Sequence, residues 1–272
     1  MSSMNQFDWK NATAVITGGA SGIGRTVARE LAAKGAAVVI GDIDENAIQQ
    51  TVSEIQAAGG RATGKKTDVT QEADVAALMD AAVEFGGSIN IVIPSAGIIK
   101  DGLMINTDRE TGKVKSVMST QQFRQVIDVN LVGSYITLRE AAQRMADNGW
   151  GGVLYTISSI NRVGQVGQIN YSSTKAAVAL WPQILSGEFH MRGLKNIRVV
   201  GIAPGYVNTA ILQGMNQDAL AGILKDVHIG RLIEPEEIAA TIIAVAENGA
   251  IDGTTIDVTG GLTYGSRSIA KG

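Results

Sequence analysis

The sequence predicts an α/β fold: one domain on a doubly wound, seven-stranded parallel sheet flanked by helices. Three observations lead there. Short β-branched runs alternate with longer helix-like stretches along nearly the whole chain. Most of the short runs, VVI and INIVI among them, are apolar at consecutive positions, as strands covered on both faces must be. No linker rich in Pro or Ser and no internal repeat divides the 272 residues.

The first strand, Thr13–Thr17, runs into the stretch TGGASGIG and then a helix over Arg25–Lys34. A glycine N–H can come close to a phosphate, and a helix start offers further free N–H groups. Gly18, Gly22 and Gly24, with Ser21 and Ile23 between them, therefore predict an anion site suited to a dinucleotide pyrophosphate. Gly19 to Thr26 also approaches the phosphate-loop pattern GxxxxGK[ST], but Arg25 stands where that loop needs its Lys. The second strand, Ala37–Ile40, leads to Asp42, whose carboxylate can accept from both hydroxyls of an adenosine ribose and would repel a 2′-phosphate. Neither Ala20 nor Ser21 supplies a cation for such a phosphate, so NAD(H) is favoured over NADP(H). Asp42 and Asp44 are both also plausible caps for the helix Glu45–Ala58.

The alternation continues with strand Arg61–Lys65, helix Ala73–Glu84 and strand Ile89–Ile93. A polar stretch, Lys100–Ser119, carries turn signals at Asp101-Gly102 and Thr111-Gly112. Helix Thr120–Asn148, strand Val153–Ile157, helix Tyr171–Met191 and strand Arg198–Ile202 follow. Gly205–Arg231 is irregular, and helix Glu236–Glu247 and strand Thr254–Val258 close the pattern. Both irregular stretches follow strands, at the ends where ligands bind in such sheets. Pro182, inside the helix Tyr171–Met191, predicts a kink or irregularity.

Composition removes several function classes. There are no cysteines, so no disulfide, thiolate nucleophile or Cys-zinc site exists. The two histidines, His190 and His228, offer no metal spacing, and Trp150 sits in a turn before a strand. A net charge of −3 argues against a nucleic-acid or anionic-membrane partner held by bulk charge. With no leader-like start and no long apolar run, the chain reads as cytoplasmic. Chemistry is suggested by Tyr171 and Lys175, four residues apart and so on one helix face. A free phenol titrates near ~10, and a neighbouring ammonium favours its phenolate. Such a Tyr can exchange a proton with an alcohol while hydride moves.

Taken together, these motifs closely resemble the short-chain dehydrogenase/reductase family over essentially the whole chain. TGGASGIG matches its TGxxxGxG motif, and Asp68-Val69 its acidic pair near the adenine. Asn130 in DVNLVG, Ser158 thirteen residues before Tyr171, and the YxxxK pair Tyr171 and Lys175 match its catalytic tetrad. Pro204-Gly205 and Thr209 match its PGxxxT segment. The resemblance implies a Rossmann-type sheet and a small alcohol or ketone substrate. Ser158 would bond the substrate oxygen, Tyr171 pass the proton, Lys175 lower the Tyr171 pKa and hold the ribose, and Asn130 seat a relay water. Asp42, Ile43, Asp68 and Val69 would meet the adenosine; Ser95, Ala96, Gly97, Pro204, Gly205, Val207 and Thr209 would lie toward the nicotinamide. Tyr206, beside that segment, is a candidate for the substrate pocket, and no metal is expected. Where the family usually carries NNAG, this chain has Pro94-Ser95-Ala96-Gly97, and Lys100–Ser119 is longer than in compact members. The resemblance extends to 3-oxoacyl-thioester reductases using NADPH and to sugar, steroid and cyclic-alcohol dehydrogenases. A regulatory protein that binds cofactor without turnover is the alternative class. Most members are dimers or tetramers through the two long helices, so a homotetramer is expected, with the tail GGLTYGSRSIAKG crossing an interface.

Overall fold

The computed structural model describes residues 7–214 and 217–262. In chain order its strands are β1 (Thr13–Thr17), β2 (Ala37–Asp42), β3 (Arg61–Lys66), β4 (Ile91–Pro94), β5 (Ile105–Thr107), β6 (Val114–Val117), β7 (Gly152–Ile157), β8 (Ile197–Pro204) and β9 (Thr254–Val258). Seven of them form one parallel sheet in the order β3-β2-β1-β4-β7-β8-β9. The chain winds outward from β1 to β3, then returns to β4 on the other side of β1. The switch point between β1 and β4 is where such sheets open a crevice for ligands.

The helices are α1 (Gly22–Ala33), α2 (Glu45–Ala57), α3 (Glu72–Gly86), α4 (Thr120–Ile127), α5 (Gly133–Asn148), α6 (Ile169–Met191), α7 (Ala210–Gln213), α8 (Gln217–Leu224) and α9 (Pro235–Glu247). Successive strand residues point to opposite faces, and the core divides accordingly. Ile16, Val38, Ile40, Ile93 and Ile202 pack with Val27 and Leu31 of α1 and Ile238 and Ile242 of α9. Val15, Val39, Val92, Leu154 and Val199 pack on the other face with Leu78 and Met79 of α3 and Ile136 and Met145 of α5. Every residue of β1 and β4 is buried, which is why these strands read as continuous apolar runs.

Three expectations change. The helix expected over Thr120–Asn148 divides into α4 and α5. The polar Lys100–Ser119 stretch holds an antiparallel hairpin of β5 and β6, apart from the main sheet. Its tip is fixed by Asp108 Oδ1, which accepts from Glu110 N at 3.1 Å and Thr111 N at 2.8 Å. Pro182 lies inside α6, whose helical span runs unbroken to Met191, so the expected irregularity is absent. The proline is buried, and α6 packs on β8 and β9. Among the described residues no helix is long and apolar enough to cross a membrane. The tail beyond Leu262 lies outside the described residues.

Candidate active site

The glycine-rich stretch makes the turn from β1 into α1, and the helix starts at Gly22, inside that stretch. Gly18 has φ +66°, and a Cβ there would stand 2.5 Å from Ala96 N, so the loops after β1 and β4 meet backbone to backbone. At Gly24 a Cβ would lie 2.2 Å from the Gly18 carbonyl oxygen, so this glycine lets α1 seat against its own entry turn. Gly22 differs: with φ +49°, its nearest neighbour to a Cβ would be Thr209 Cγ2 at 3.8 Å. Ser21 is the helix N-cap residue and makes no side-chain cap. The free N–H groups of the α1 first turn and the space beside Gly22 and Thr209 lie at the same loop, a setting that suits an anion.

Asp42 is the last residue of β2. Its Oδ2 accepts from Ala20 N at 3.2 Å, and its Oδ1 from Asp44 N at 3.3 Å. Asp44, not Asp42, caps α2, accepting from Asn46 N at 3.0 Å and Ala47 N at 3.1 Å. Of the two caps that the sequence left open, the structure takes Asp44. Ile43 between them is 69% exposed. Asp68 is held in the turn after β3, where Oδ1 accepts from Thr70 N at 2.9 Å and Thr70 Oγ1 at 2.8 Å. Val69 is buried and touches the spot where a Cβ of Gly133 would stand. Ser95 keeps its place without the usual asparagine, donating its backbone N–H to Thr17 O at 3.0 Å. Gly97 lies beside Asn130 Oδ1. Pro204 ends β8, Gly205 N–H donates to Val258 O at 2.8 Å, and Val207 is buried in a bridge to Ile233. The half-buried Tyr206 has its carbonyl engaged by Ile233 N–H at 2.9 Å.

A π-type turn, Asp128–Val132, joins α4 to α5 and carries Asn130. Such turns recur at functional sites because they pull one backbone group out of the regular ladder. Both ends of the Asn130 amide engage one residue: Oδ1 accepts from Ile98 N at 2.8 Å, and Nδ2 donates to Ile98 O at 2.9 Å. Asn130 therefore pins the loop after β4, and Ser134 Oγ donates to its carbonyl at 2.8 Å.

Tyr171 and Lys175 share the first two turns of α6, and Lys175 Nζ lies 5.5 Å from the centre of the Tyr171 ring. The ammonium is buried and donates to Ile157 O at 2.8 Å. Burial pulls the Lys175 amine down to about 8. For the Tyr171 phenol, burial is the largest influence and pushes it up; a hydrogen bond with the Ser159 hydroxyl pulls it down, and the Asp101 carboxylate pushes it up. The net direction is upward. This corrects the expectation that Lys175 would make the phenol more acid: here desolvation wins.

The two serines also part company. Ser158 Oγ is buried and donates to Lys175 O at 2.7 Å, tying α6 to the end of β7. Ser159 is the one on the Tyr171 phenol, and its Oγ accepts from Asn161 N at 3.1 Å. Adjacent extended residues leave a strand in opposite directions, so only one of the pair can face Tyr171. Counting residues back from Tyr171 cannot say which. Among the described residues no group of His, Asp and Glu could hold a metal ion.

Comparison with known proteins agrees with this geometry. The family model for short chain dehydrogenase matches residues 12–220. Cis-4-hydroxycyclohexanecarboxylate dehydrogenase of Sinomonas cyclohexanicum is 36% identical, over 92% of this chain and 96% of that protein. The (3R)-3-hydroxyacyl-CoA dehydrogenase of Homo sapiens is 33% identical, over 96% of this chain and 99% of that protein. Among solved structures, a 7α-hydroxysteroid dehydrogenase complexed with NADH and 7-oxo glycochenodeoxycholic acid superposes with a TM-score of 0.85 at 28% identity, covering 97% of this chain and 98% of that one. The strand order, the glycine turn and the Tyr-Lys helix face place this chain in the short-chain dehydrogenase/reductase family of oxidoreductases.

Proposed function

We propose that the chain is an NAD(H)-dependent oxidoreductase that interconverts a secondary alcohol and a ketone, with Tyr171 as the proton-transfer group. The observation that carries this reading is the cluster of Tyr171, Lys175 and Ser159 at the carboxyl end of β7, beside the sheet's switch point. The residues around the glycine turn fit a dinucleotide, because a Cβ at Gly22 would meet open space and no side chain caps α1. When bound, a nicotinamide supplies or takes the hydride. Gly18, Ser21, Gly22, Ile23 and Gly24 would hold the pyrophosphate. Asp42 would take the adenosine ribose, with Ile43, Asp68 and Val69 around the adenine. Ser95 to Gly97 and Pro204 to Thr209 would flank the nicotinamide, and Lys175 would hold its ribose.

In ketone reduction the phenol O–H of Tyr171 gives its proton to the carbonyl oxygen as that oxygen gains charge. A phenol pushed upward by burial is protonated at neutral pH, which suits this acid role. We assign to Ser159 the hydrogen bond to the substrate oxygen, since its hydroxyl already shares the phenol's position. Ser158 then serves as the buried tie between α6 and β7. Lys175, with a water seated by Asn130, would return a proton to Tyr171 from solvent. Tyr206 remains our candidate for the substrate side of the pocket. The names of the similar proteins describe a cyclic hydroxy acid, a 3-hydroxyacyl thioester and a hydroxysteroid, all secondary alcohols. Absorbance-monitored oxidation of NADH and NADPH against cyclic ketones, 3-oxoacyl thioesters and oxosteroids tests the reading. Turnover with NADH and one of these classes is expected. Cofactor binding with no turnover across the panel would overturn it in favour of a regulatory role.

A further inference from the structure

A polar strap outside the Tyr171–Lys175 pair joins the loop after β4 to the loop after β7. Gly102 N–H donates to Gly167 O at 2.8 Å, and Asn170 Nδ2 donates to Lys100 O at 2.8 Å. Between these two ties lies a run of side chains. Gln168, itself buried, donates from Nε2 to Asp101 Oδ2 at 2.9 Å and accepts at Oε1 from Asn161 Nδ2 at 2.8 Å. Asn161 in turn donates its backbone N–H to Ser159 Oγ, the hydroxyl on the Tyr171 phenol. Asn170 closes the loop, its Oδ1 accepting from Tyr171 N at 2.8 Å. An ionised group in one loop is thus anchored, through neutral amides, to the hydroxyl that touches Tyr171.

We propose that Asp101 is a positioning residue for proton transfer: tethered through Gln168, its carboxylate governs how readily Tyr171 releases its proton. This rests on the assignment of Tyr171 as the proton-transfer group. The charges around the phenol are few. Lys175 comes from α6 itself and Asp101 from the loop after β4, while the loop after β7 contributes the neutral Ser159 and Arg162, whose guanidinium pairs with Asp257 of β9 at 2.6 Å. Lys100, next to Asp101, turns its ammonium to Gln125 Oε1 at 2.6 Å. Arg124 of α4 and Asp128 of the π-type turn are exposed. The sign follows from charge: a carboxylate near the phenol opposes phenolate, so its removal eases proton release.

Two readouts test this. In alcohol oxidation, which needs phenolate, Asp101→Asn is expected to raise kcat/KM about threefold at a fixed pH on the acid side of the profile, the size of a partly screened charge effect. Asp101→Glu, which keeps the charge, is expected to stay near the native profile. Without substrate or cofactor, the phenolate absorbance of Tyr171, taken as the difference from Tyr171→Phe, is expected at lower pH in Asp101→Asn. An Asp101→Asn variant with an unmoved phenolate titration, or an Asp101→Glu variant that shifts as far as Asn, would overturn the proposal. Should Asp101→Asn not fold, salt decides on the native chain. Raising it from ~0.05 to ~0.5 M screens exposed Asp101, while Lys175, pulled down to about 8, is already neutral where phenolate forms, so phenolate should come in at lower pH; no movement overturns the proposal. If Tyr171→Phe retains turnover, the functional reading has failed instead, and the absorbance titration still reports on Asp101.

Discussion

Replacing the two adjacent serines one at a time separates a structural hydroxyl from a chemical one. Ser158 Oγ donates to Lys175 O at 2.7 Å inside the protein, and that carbonyl sits within α6. Ser158→Ala removes this one buried hydrogen bond, so a stability loss of about 1 kcal/mol is expected. Lys175 keeps its own tie to Ile157 O, so kcat should fall by less than about tenfold. Ser159→Ala has the opposite profile. It removes the donor at the phenol, and losing one donor to a developing oxyanion costs about 10²–10³ in kcat, or roughly 3–4 kcal/mol of barrier. Its Oγ also accepts from Asn161 N–H at the start of a short turn, and losing that cap should lower stability by about 1 kcal/mol or less. Ketone-dependent NADH oxidation at saturating substrate and urea-induced unfolding read the two quantities independently. A Ser158→Ala enzyme that loses several hundredfold in kcat, beside a near-native Ser159→Ala enzyme, would refute the assignment and restore the residue chosen by spacing.

The other expectations concern the cofactor cradle and the buried pair. Tyr171→Phe should lose turnover by at least about 10³-fold while NADH still quenches or enhances fluorescence on binding, because only the transferable proton is removed. Asp42→Ala should weaken NADH about 10- to 100-fold in a binding titration, through loss of charge-assisted hydrogen bonds, and weaken NADPH much less; equal losses contradict the ribose role. Gly18→Val places a side chain 2.5 Å from Ala96 N at φ +66°, so unfolding free energy should drop by at least about 2 kcal/mol, together with cofactor binding. Lys175, pulled down to about 8 from 10.5 by burial, binds fewer protons folded than unfolded between those pH values. Its contribution to stability therefore rises with pH across that window, by about 3 kcal/mol in total. Denaturant curves at several pH values, native minus Lys175→Met, should show that rise; a flat difference contradicts the burial.

Elements whose residues face a uniform environment are legible in the amino-acid sequence. β1, β2 and β4 are buried on both faces, so their apolar runs have one reading, and every main-sheet strand falls within about two residues of its expected place. The glycine turn is legible because its demands are steric: Gly18 and Gly24 each stand where no Cβ fits. The hairpin of β5 and β6 is hidden because its strands are three and four residues long and exposed throughout, leaving no burial pattern to read. Pro182 predicts an irregularity that the helical span of α6 does not show, because a local cost does not weigh the tertiary contacts α6 makes with β8 and β9. Asp44 and Asp42 offer the same side chain to two jobs, and only the geometry of the α2 start assigns the cap.

The electrostatics of Tyr171 show why site chemistry is harder to read than site position. Four-residue spacing puts Lys175 beside the phenol, and it is there. What spacing cannot weigh is the solvent lost by both groups. Each is moved by burial toward its neutral form, the amine downward and the phenol upward, so the pair does not begin as phenolate and ammonium. A hydride acceptor's carbonyl oxygen needs a donor, and a neutral phenol backed by the Ser159 hydroxyl is one. A partly buried phenol also feels a neighbouring charge more than a fully solvated one does. That sensitivity is what gives Asp101, exposed and two loops away in sequence, a hold on the proton.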